Sequence, residues 1–581
     1  MNFIKVAELY EKIEETTKRL EMTDHLVNLF KETPPSLIDK VVYLTQGKLY
    51  PDFVGIELGM AERMAIDAIS RATLVAKREI DKLYKKFGDL GVTTEELLKR
   101  RFPPAKALTV EDVYSTFEKI AHTSGKGSVE VKVRLLAELI RRSVPKEAKY
   151  IVRIVTRRLR LGIGDMTILD ALAVAFTGDK DNRPKLEEAY NLSSDLGLVA
   201  KTLAEKGMEG IEKFEITLGK PVRPMLAERI SSAEEILERL GGKGSAEFKY
   251  DGLRIQAHLS PEAIYLFSRR MENITHQFPD VIEALKGSLK AERAVVEGEC
   301  VAVDPNTGDM YPFQMISRRR GRKYEIERMM EEIPVNLYLF DILYLDGKDL
   351  TKSSYLERRK ALESIVEEGE IIKLAEYKIV DDPQTLDEYM KIAVERGCEG
   401  LIVKSIDEDS IYTAGKRGFK WLKYKREYKS EMGDTVDLVI VGAFAGKGKR
   451  AGTYGALLMA AYNHEEDVFE TLCKLGTGFT DEDLERLPKI LEPYKIDRCH
   501  PRVISKLDAD VWFVPALVLE IKGAELTLSP SHTCAWGKIA ENSGLAIRFP
   551  RLENWRMDKS PEDATTVKEI VEMYKSQLKH I

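Results

Sequence analysis

The sequence predicts a multidomain molecule with an all-α N-terminal region, an α+β middle and a compact C-terminal β-barrel that ends in a helix. Three observations carry this expectation. A chain of 581 residues exceeds what one hydrophobic core organises and suits about three or four domains. Up to about residue 217, apolar residues recur at three- and four-residue spacing, as in Val133, Leu136, Leu139 and Ile140. Beyond the break at Leu218-Gly219-Lys220-Pro221, short apolar or alternating runs separated by turns take over.

The elements follow in order. Residues 1–217 read as helices. Within 218–430, the runs at 263–267, 294–303 and 337–345 read as strands of a sheet-rich region. From 431 to 581, the runs at 438–443, 456–462 and 512–521 are short and punctuated by glycine, which suggests a barrel of OB-fold type. Residues 560–581 carry acidic side chains early and lysines late around Val567, Ile570, Val571 and Tyr574, the charge order of a terminal helix.

Composition narrows the class. Hydrophobic residues make up 44% and charged residues 32%, the profile of a soluble globular protein with no membrane partner. No apolar run approaches a membrane span and residues 1–20 are dense in Lys and Glu, so the expected location is the cytoplasm, with nucleoid association once a DNA partner is inferred. Cys300, Cys398, Cys473, Cys499 and Cys534 lie far apart without C-x-x-C spacing, which argues against a zinc ribbon or a disulfide framework. The net charge of −6 gives no sign of a polyanion partner, so any such surface is local. One local candidate is the stretch 126–160, with eleven Lys/Arg against three Glu. Alone, that run fits either a solvated helix face or a phosphate contact.

The segment Glu247-Phe248-Lys249-Tyr250-Asp251-Gly252-Leu253-Arg254 carries the strongest chemical signal. It places a lysine on a strand just before a charged, glycine-containing turn. Such a lysine becomes a nucleophile when cationic neighbours and partial burial disfavour its ammonium form. An ordinary Asp-Gly turn is the competing reading. Downstream stand residue types suited to a nucleotide. Phe340 offers a π-face for a purine, and Glu247 an acceptor for its exocyclic amine. Glu299 and Arg254 can bond ribose hydroxyls, whereas Arg269, Arg417, Lys423 and Lys425 can neutralise a triphosphate. Glu399 is a candidate carboxylate for Mg²⁺.

These elements resemble, in order, the motifs of the covalent nucleotidyltransferases, which attach a nucleotide to the lysine of K-x-D-G. After that motif come Ser268-Arg269-Arg270-Met271-Glu272-Asn273, Glu297-Gly298-Glu299, Leu339-Phe340-Asp341-Ile342, Glu399-Gly400-Leu401-Ile402-Val403-Lys404 and Trp421-Leu422-Lys423-Tyr424-Lys425. The C-terminal part is similar to the OB-fold of ATP-dependent DNA ligases, through Gly442-Ala443-Phe444-Ala445-Gly446-Lys447-Gly448-Lys449-Arg450, Gly476-Thr477-Gly478-Phe479 and Arg556-Met557-Asp558-Lys559. In length and arrangement the chain is most similar to the archaeal replicative ligases of that family.

The resemblance implies a helical DNA-binding domain over 1–217, an adenylation domain over 218–430 and an OB-fold domain over 431–581. It implies an enzyme that seals single-strand nicks in duplex DNA through a lysyl-AMP on Lys249, with ATP as substrate and Mg²⁺ or Mn²⁺ held by Glu399 and Glu299. Glu247, Arg254, Arg269, Glu299, Phe340, Arg417, Lys423 and Lys425 would bind ATP. Arg556, Asp558 and Lys559 would orient the diphosphate in the first step only. Arg157, Arg158, Arg160 and Gly162, with Lys447, Lys449 and Arg450, would contact DNA, which turns the basic run toward the phosphate reading. The OB domain would close, open and re-close during the cycle about a hinge at 427–434. A monomer is expected. A sliding-clamp partner is left open, because Arg101-Phe102-Pro103-Pro104-Ala105-Lys106 is a degenerate version of the clamp motif.

Other matches are set aside. Gly446-Lys447-Gly448-Lys449-Arg450-Ala451 fits G-x-G-x-x-A but lies among short strands, and the loop beginning at Asp304 has Met315 where a calcium loop needs Glu. No G-x-x-x-x-G-K-[ST] occurs, and His258 and His276 read as structural. An RNA ligase or a GTP-using capping enzyme is the alternative activity, and a catalytically inert DNA-binding scaffold the alternative class.

Overall fold

In the computed structural model all residues are described except 100–106, 304–309, 312, 320, 322–324, 426–433, 447–451, 524, 549 and 580–581. The clamp-like segment, the calcium-like loop, most of the hinge, and Lys447, Lys449 and Arg450 therefore lie outside the described residues. The chain divides into two compact units, Met1–Ala68 with Arg101–Arg426, and Ile69–Arg100 with Glu427–Ile581. Among the described residues, no helix is long and apolar enough to cross a membrane.

Helices fill the N-terminal region as the spacing predicts. The helix Ser128–Arg142 buries Val133, Leu136, Ala137, Leu139 and Ile140 along one face, with its cations left on the other. The helix Val110–His122 starts at a capping box in which Thr109 and Asp112 satisfy each other's backbone N–H groups.

Two sheets make up the α+β part. Its strands are β1 (Leu226–Ile230), β2 (Gly244–Lys249), β3 (Leu253–Leu259), β4 (Ile264–Ser268), β5 (Ala294–Ala302), β6 (Val335–Leu345), β7 (Lys348–Asp349), β8 (Ile372–Leu374), β9 (Tyr377–Val380), β10 (Gly400–Lys404) and β11 (Arg417–Lys425). One sheet has the order β1-β11-β10-β2-β9; the other runs β4-β3-β5-β6-β7, with β8 parallel to β6. Strand alternation splits each sheet into an apolar and a polar face. In the first, Ala246, Phe248, Leu401, Val403 and Leu422 enter a core, leaving Glu247, Lys249, Lys423 and Lys425 on the opposite face. In the second, Leu253, Ile255, Ala257 and Leu259 are buried in a separate core, so Arg254, Gln256 and His258 face the other way.

The second unit contains the barrel, with strands β12 (Val436–Ala445), β13 (Tyr454–Asn463), β14 (Val468–Leu475), β15 (Lys495–Ile496), β16 (Val503–Ile504), β17 (Val511–Phe513), β18 (Val518–Lys522), β19 (Glu525–Ser529), β20 (Gly544–Arg548) and β21 (Arg551–Trp555). β12 carries register shifts and pairs with β13, with β17 near one end and with β18 near the other, which bends the sheet into the predicted OB-type curl. The strands expected near 512–521 are β17 and β18. The terminal helix spans Val567–Lys579 and so starts later than 560. Ser560 and Asp563 close their own short turn, and a second capping pair, Thr566 with Glu569, starts the helix. Gln577 then bonds both backbone groups of Leu526 on β19, fastening the helix to the barrel.

Candidate active site

Strand register assembles the site. Lys249 ends β2 and lies opposite Gly400, which lies opposite Lys425 on β11; one step in, Glu247, Ile402 and Lys423 form the next row on the same face. The Glu399 N–H donates to the Lys249 carbonyl at 2.8 Å, which sets the Glu399 carboxylate beside Lys249. The turn between β2 and β3 is specified by sterics. A Cβ on Gly252 would lie 2.3 Å from the Cys300 carbonyl oxygen, so its glycine is needed for close approach to β5 and not for a left-handed hairpin turn. Gly400, at φ +143°, would bring a Cβ within 2.3 Å of the Tyr424 oxygen.

Charge is distributed unevenly. The Lys249 ammonium donates to Glu399, which also pairs with Lys425 at 2.5 Å. Burial opposes a charge on Glu399, yet Lys249 and Lys425 outweigh it and hold the carboxyl down to about 2. Glu299, opposite Arg254 on the neighbouring sheet, is pushed up to about 7 by burial, against the pull of Lys249 and Arg254. Asp251 is also raised, first by burial and then by Glu399. Burial, followed by Lys425, Lys249, Arg417 and Arg269, lowers the Lys423 ammonium. The predicted cations thus share one electrostatic neighbourhood, and among the described residues Lys423, Arg417 and Arg269 have no carboxylate partner.

The purine end is built differently. Glu247 is buried, accepts from the Tyr355 hydroxyl at 2.6 Å and pairs with Lys404 at 2.6 Å. Lys404 is fully buried, with its ammonium over the rings of Trp421 at 4.3 Å, Tyr355 at 4.9 Å and Phe340 at 5.1 Å. Phe340 is half-buried, and the Arg254 guanidinium lies 5.2 Å from its ring centre. Arg254 donates to Glu297 at 2.8 Å and to the Met225 carbonyl at 3.1 Å, but its buried Nε has no partner among the described residues. That is an open donor beside an aromatic face.

Lys404, Tyr355, Glu297 and Trp421 are site residues that the sequence does not single out one by one. Lys404 closes the fourth motif, and β10 alternation from Gly400 places it on the site face, which is a usable signal. Tyr355 comes from a helix 108 positions after Glu247 and leaves no local sign. Asp341, inside the aromatic motif, is scaffold: both its oxygens are taken by the fully buried Arg358, at 2.7 and 3.1 Å.

The donor set suits a hard divalent cation shared with substrate. Glu299 and Glu399 offer carboxylate oxygens, and burial, with a smaller part from neighbouring carboxylates, disfavours negative charge on Glu299 and Asp251, a cost that a bound cation would offset. Among the described residues no group of three or more His, Cys, Asp or Glu side chains is placed to hold a metal ion by itself.

In the helical region, the basic run is partly spent inside the protein. Lys149 and Arg153 are buried against Glu14, Lys146 pairs with Glu11 at 2.5 Å, and Arg142 with Asp112 at 3.2 Å. Arg157 pairs with Glu57 at 2.9 Å and Arg158 with Glu62. Arg160 is exposed at φ +54° and shares a cleft with Gln46, Lys48, Gly162, Gly164 and Asp165. In the second unit, Arg556 and Lys559 are drawn together on Asp437, and Arg556 also pairs with Asp558 at 2.8 Å.

Comparison with known proteins adds three family matches: a DNA ligase N terminus over residues 2–173, an ATP dependent DNA ligase domain over 224–425 and an ATP dependent DNA ligase C terminal region over 450–559. DNA ligase 2 of Thermofilum pendens is 56% identical and the alignment covers 99% of this chain and 97% of that one. The probable DNA ligase of Aquifex aeolicus is 53% identical over 100% and 99% of the two chains, and the DNA ligase of Staphylothermus marinus 51% identical over the whole of both. A solved structure titled "Pmar-Lig_Pre." shares the fold, with a TM-score of 0.55 at 17% identity over 95% of this chain and 99% of that one.

Proposed function

Since the chain belongs to the ATP-dependent DNA ligase family, which joins nicked DNA with ATP and a divalent metal, we propose that Lys249 is the residue that carries AMP. The observation that supports this most is the place of Lys249 at the end of β2, in one electrostatic neighbourhood with Lys423, Arg417 and Arg269, cations that have no carboxylate partner among the described residues.

In the first step Lys249 Nζ, having lost its ammonium proton to solvent, attacks the α-phosphorus of ATP; an N–P bond forms as the P–O bond to the diphosphate breaks, and the attacking amine releases one further proton to solvent. Glu399, accepting from Nζ, fixes its position on the strand end. Lys423, Arg417, Arg269 and Lys425 bind the phosphates, which gather negative charge as the bond breaks. Glu299 and Glu399 would hold Mg²⁺, which neutralises phosphate charge when bound. The purine lies on Phe340 with its exocyclic amine toward Glu247, and Arg254 Nε with Glu299 faces the ribose. Arg556, Asp558 and Lys559 orient the diphosphate. AMP then passes to the 5′-phosphate of the nick, and the 3′-hydroxyl displaces it.

For DNA we favour Arg160 and Gly162 in the first unit. Arg157 and Arg158 would first have to exchange Glu57 and Glu62 for phosphate. We take the working form to be a single chain acting in the cytoplasm.

The test is to incubate the protein with ATP and Mg²⁺, digest it and locate the AMP adduct by tandem mass spectrometry. The adduct belongs on the peptide holding Lys249, and its recovery on another lysine would overturn the assignment.

A further inference from the structure

Asp437 is the second residue of β12 and is 8% exposed. Its backbone is clamped to the segment just after the sixth motif: the Asp437 N–H donates to Thr565 Oγ1 at 2.9 Å, and the Thr565 N–H donates to the Asp437 carbonyl at 2.8 Å. The carboxylate so fixed accepts Arg556 Nη1 at 3.2 Å on one oxygen and 3.0 Å on the other, and Lys559 Nζ at 2.6 Å. The other edge of the guanidinium is bidentate on Asp558, through Nε at 3.0 Å and Nη2 at 2.8 Å.

Donor accounting separates the roles of the two cations. A guanidinium has five N–H groups and an ammonium three. These bonds engage most of the Arg556 donors between two carboxylates, whereas Lys559 gives one donor to Asp437. Arg556 is a strut and Lys559 holds the freer charge. Two cations meeting on one site repel each other, and the carboxylate between them cancels that repulsion and sets their spacing.

We propose that Asp437 is a positioning residue for the first step, holding Arg556 and Lys559 side by side in the geometry that receives the diphosphate. This rests on the assignment of Arg556, Asp558 and Lys559 to the diphosphate. Asp437 then acts only while diphosphate is the leaving group and has no part in the final joining, in which AMP leaves.

The experiment compares two rates in each variant: AMP transfer from α-labelled ATP to the protein, and sealing of a nicked duplex that already carries AMP on its 5′-phosphate. Asp437→Asn should slow the first by about 10-fold to 100-fold, the range seen when a supporting partner is removed behind a metal ligand. It should seal the pre-adenylylated nick within about twofold of wild type, a split that a general loss of folding would not produce. Asp437→Glu, which keeps the charge, should recover most of the first step. If Asp437→Asn fails to fold, Asp437→Ser supports the same comparison. An unchanged or faster first step, or equal loss in both rates, overturns the proposal. Arg556→Ala is run alongside: if it slows the first step while the Asp437 variants do not, only the role of Asp437 falls, and if it too leaves the step intact, the diphosphate assignment falls with it.

Discussion

Around Lys249, the Lys423 ammonium is disfavoured by burial and by four neighbouring cations, and among the described residues Lys423, Arg417 and Arg269 have no carboxylate of their own. In the sixth motif, Arg556 and Lys559 meet on Asp437, and Arg556 is also braced by Asp558. The first group carries uncompensated charge and suits a polyanion that stays bound through chemistry. The second is a neutral quartet, fixed in shape, which suits a brief encounter with a leaving group. Crowded cations hold electrostatic free energy that a phosphate releases; paired cations hold geometry.

Four predictions press on that contrast. The largest effect belongs to Lys423→Ala, which should lower the rate of protein adenylylation by about 10²–10³, as loss of a donor aimed at developing charge does elsewhere; a loss below about fivefold would remove Lys423 from the phosphate group. Next is Asp341→Ala, which strands the fully buried Arg358 and should destabilise the fold by about 3–5 kcal/mol in urea titration, with no specific change in the first step if the fold is rescued at low temperature. Tripolyphosphate at about 100 times its dissociation constant should then stabilise wild type by about 2.7 kcal/mol and Lys423→Ala by much less, whereas Arg556→Ala should respond like wild type. The smallest effect concerns DNA: Arg160→Ala should reduce the slope of log affinity against log salt by about 1 for nicked and intact duplex alike.

Protonation separates the two carboxylates beside Lys249. Glu299 is raised from 4.5 to about 7 in the folded protein, so between those values the folded state binds the extra proton and this group makes stability fall as pH rises. Glu399 is lowered to about 2, so its contribution is present above 4.5 and is lost as pH falls toward 2. In thermal melts from about pH 5 to 7, Glu299→Gln should remove part of the decline; a profile parallel to wild type would contradict the burial of that carboxyl.

How far the sequence can be read follows from the range of each interaction. K-x-D-G and the five motifs after it are local strings, so Lys249, Glu299, Phe340 and the β11 lysines stand out from the order of residues alone. The helices up to Ile211 are legible because burial repeats with the helical turn. The environment of Glu247 is not, since Tyr355 and Lys404 reach it from 108 and 157 positions away, the first through a helix and the second through strand register. Asp437 is hidden for the same reason, lying 119 positions before Arg556. The basic run promises more than it delivers: charge counting cannot tell an exposed Arg160 from Lys149 and Arg153, which face Glu14. The terminal helix begins later than its charge order suggests, because Ser560 and Asp563 carry a capping pattern that closes a separate turn.

A labelled pulse and chase asks whether Lys249 carries AMP from ATP to the nick. Wild type and Lys249→Ala would be given α-labelled ATP, freed of nucleotide and then mixed with unlabelled nicked duplex. Label is expected on wild type alone, discharged by the nick as the strands join. Equal labelling of the alanine variant, or label that nicked DNA does not discharge, would contradict it.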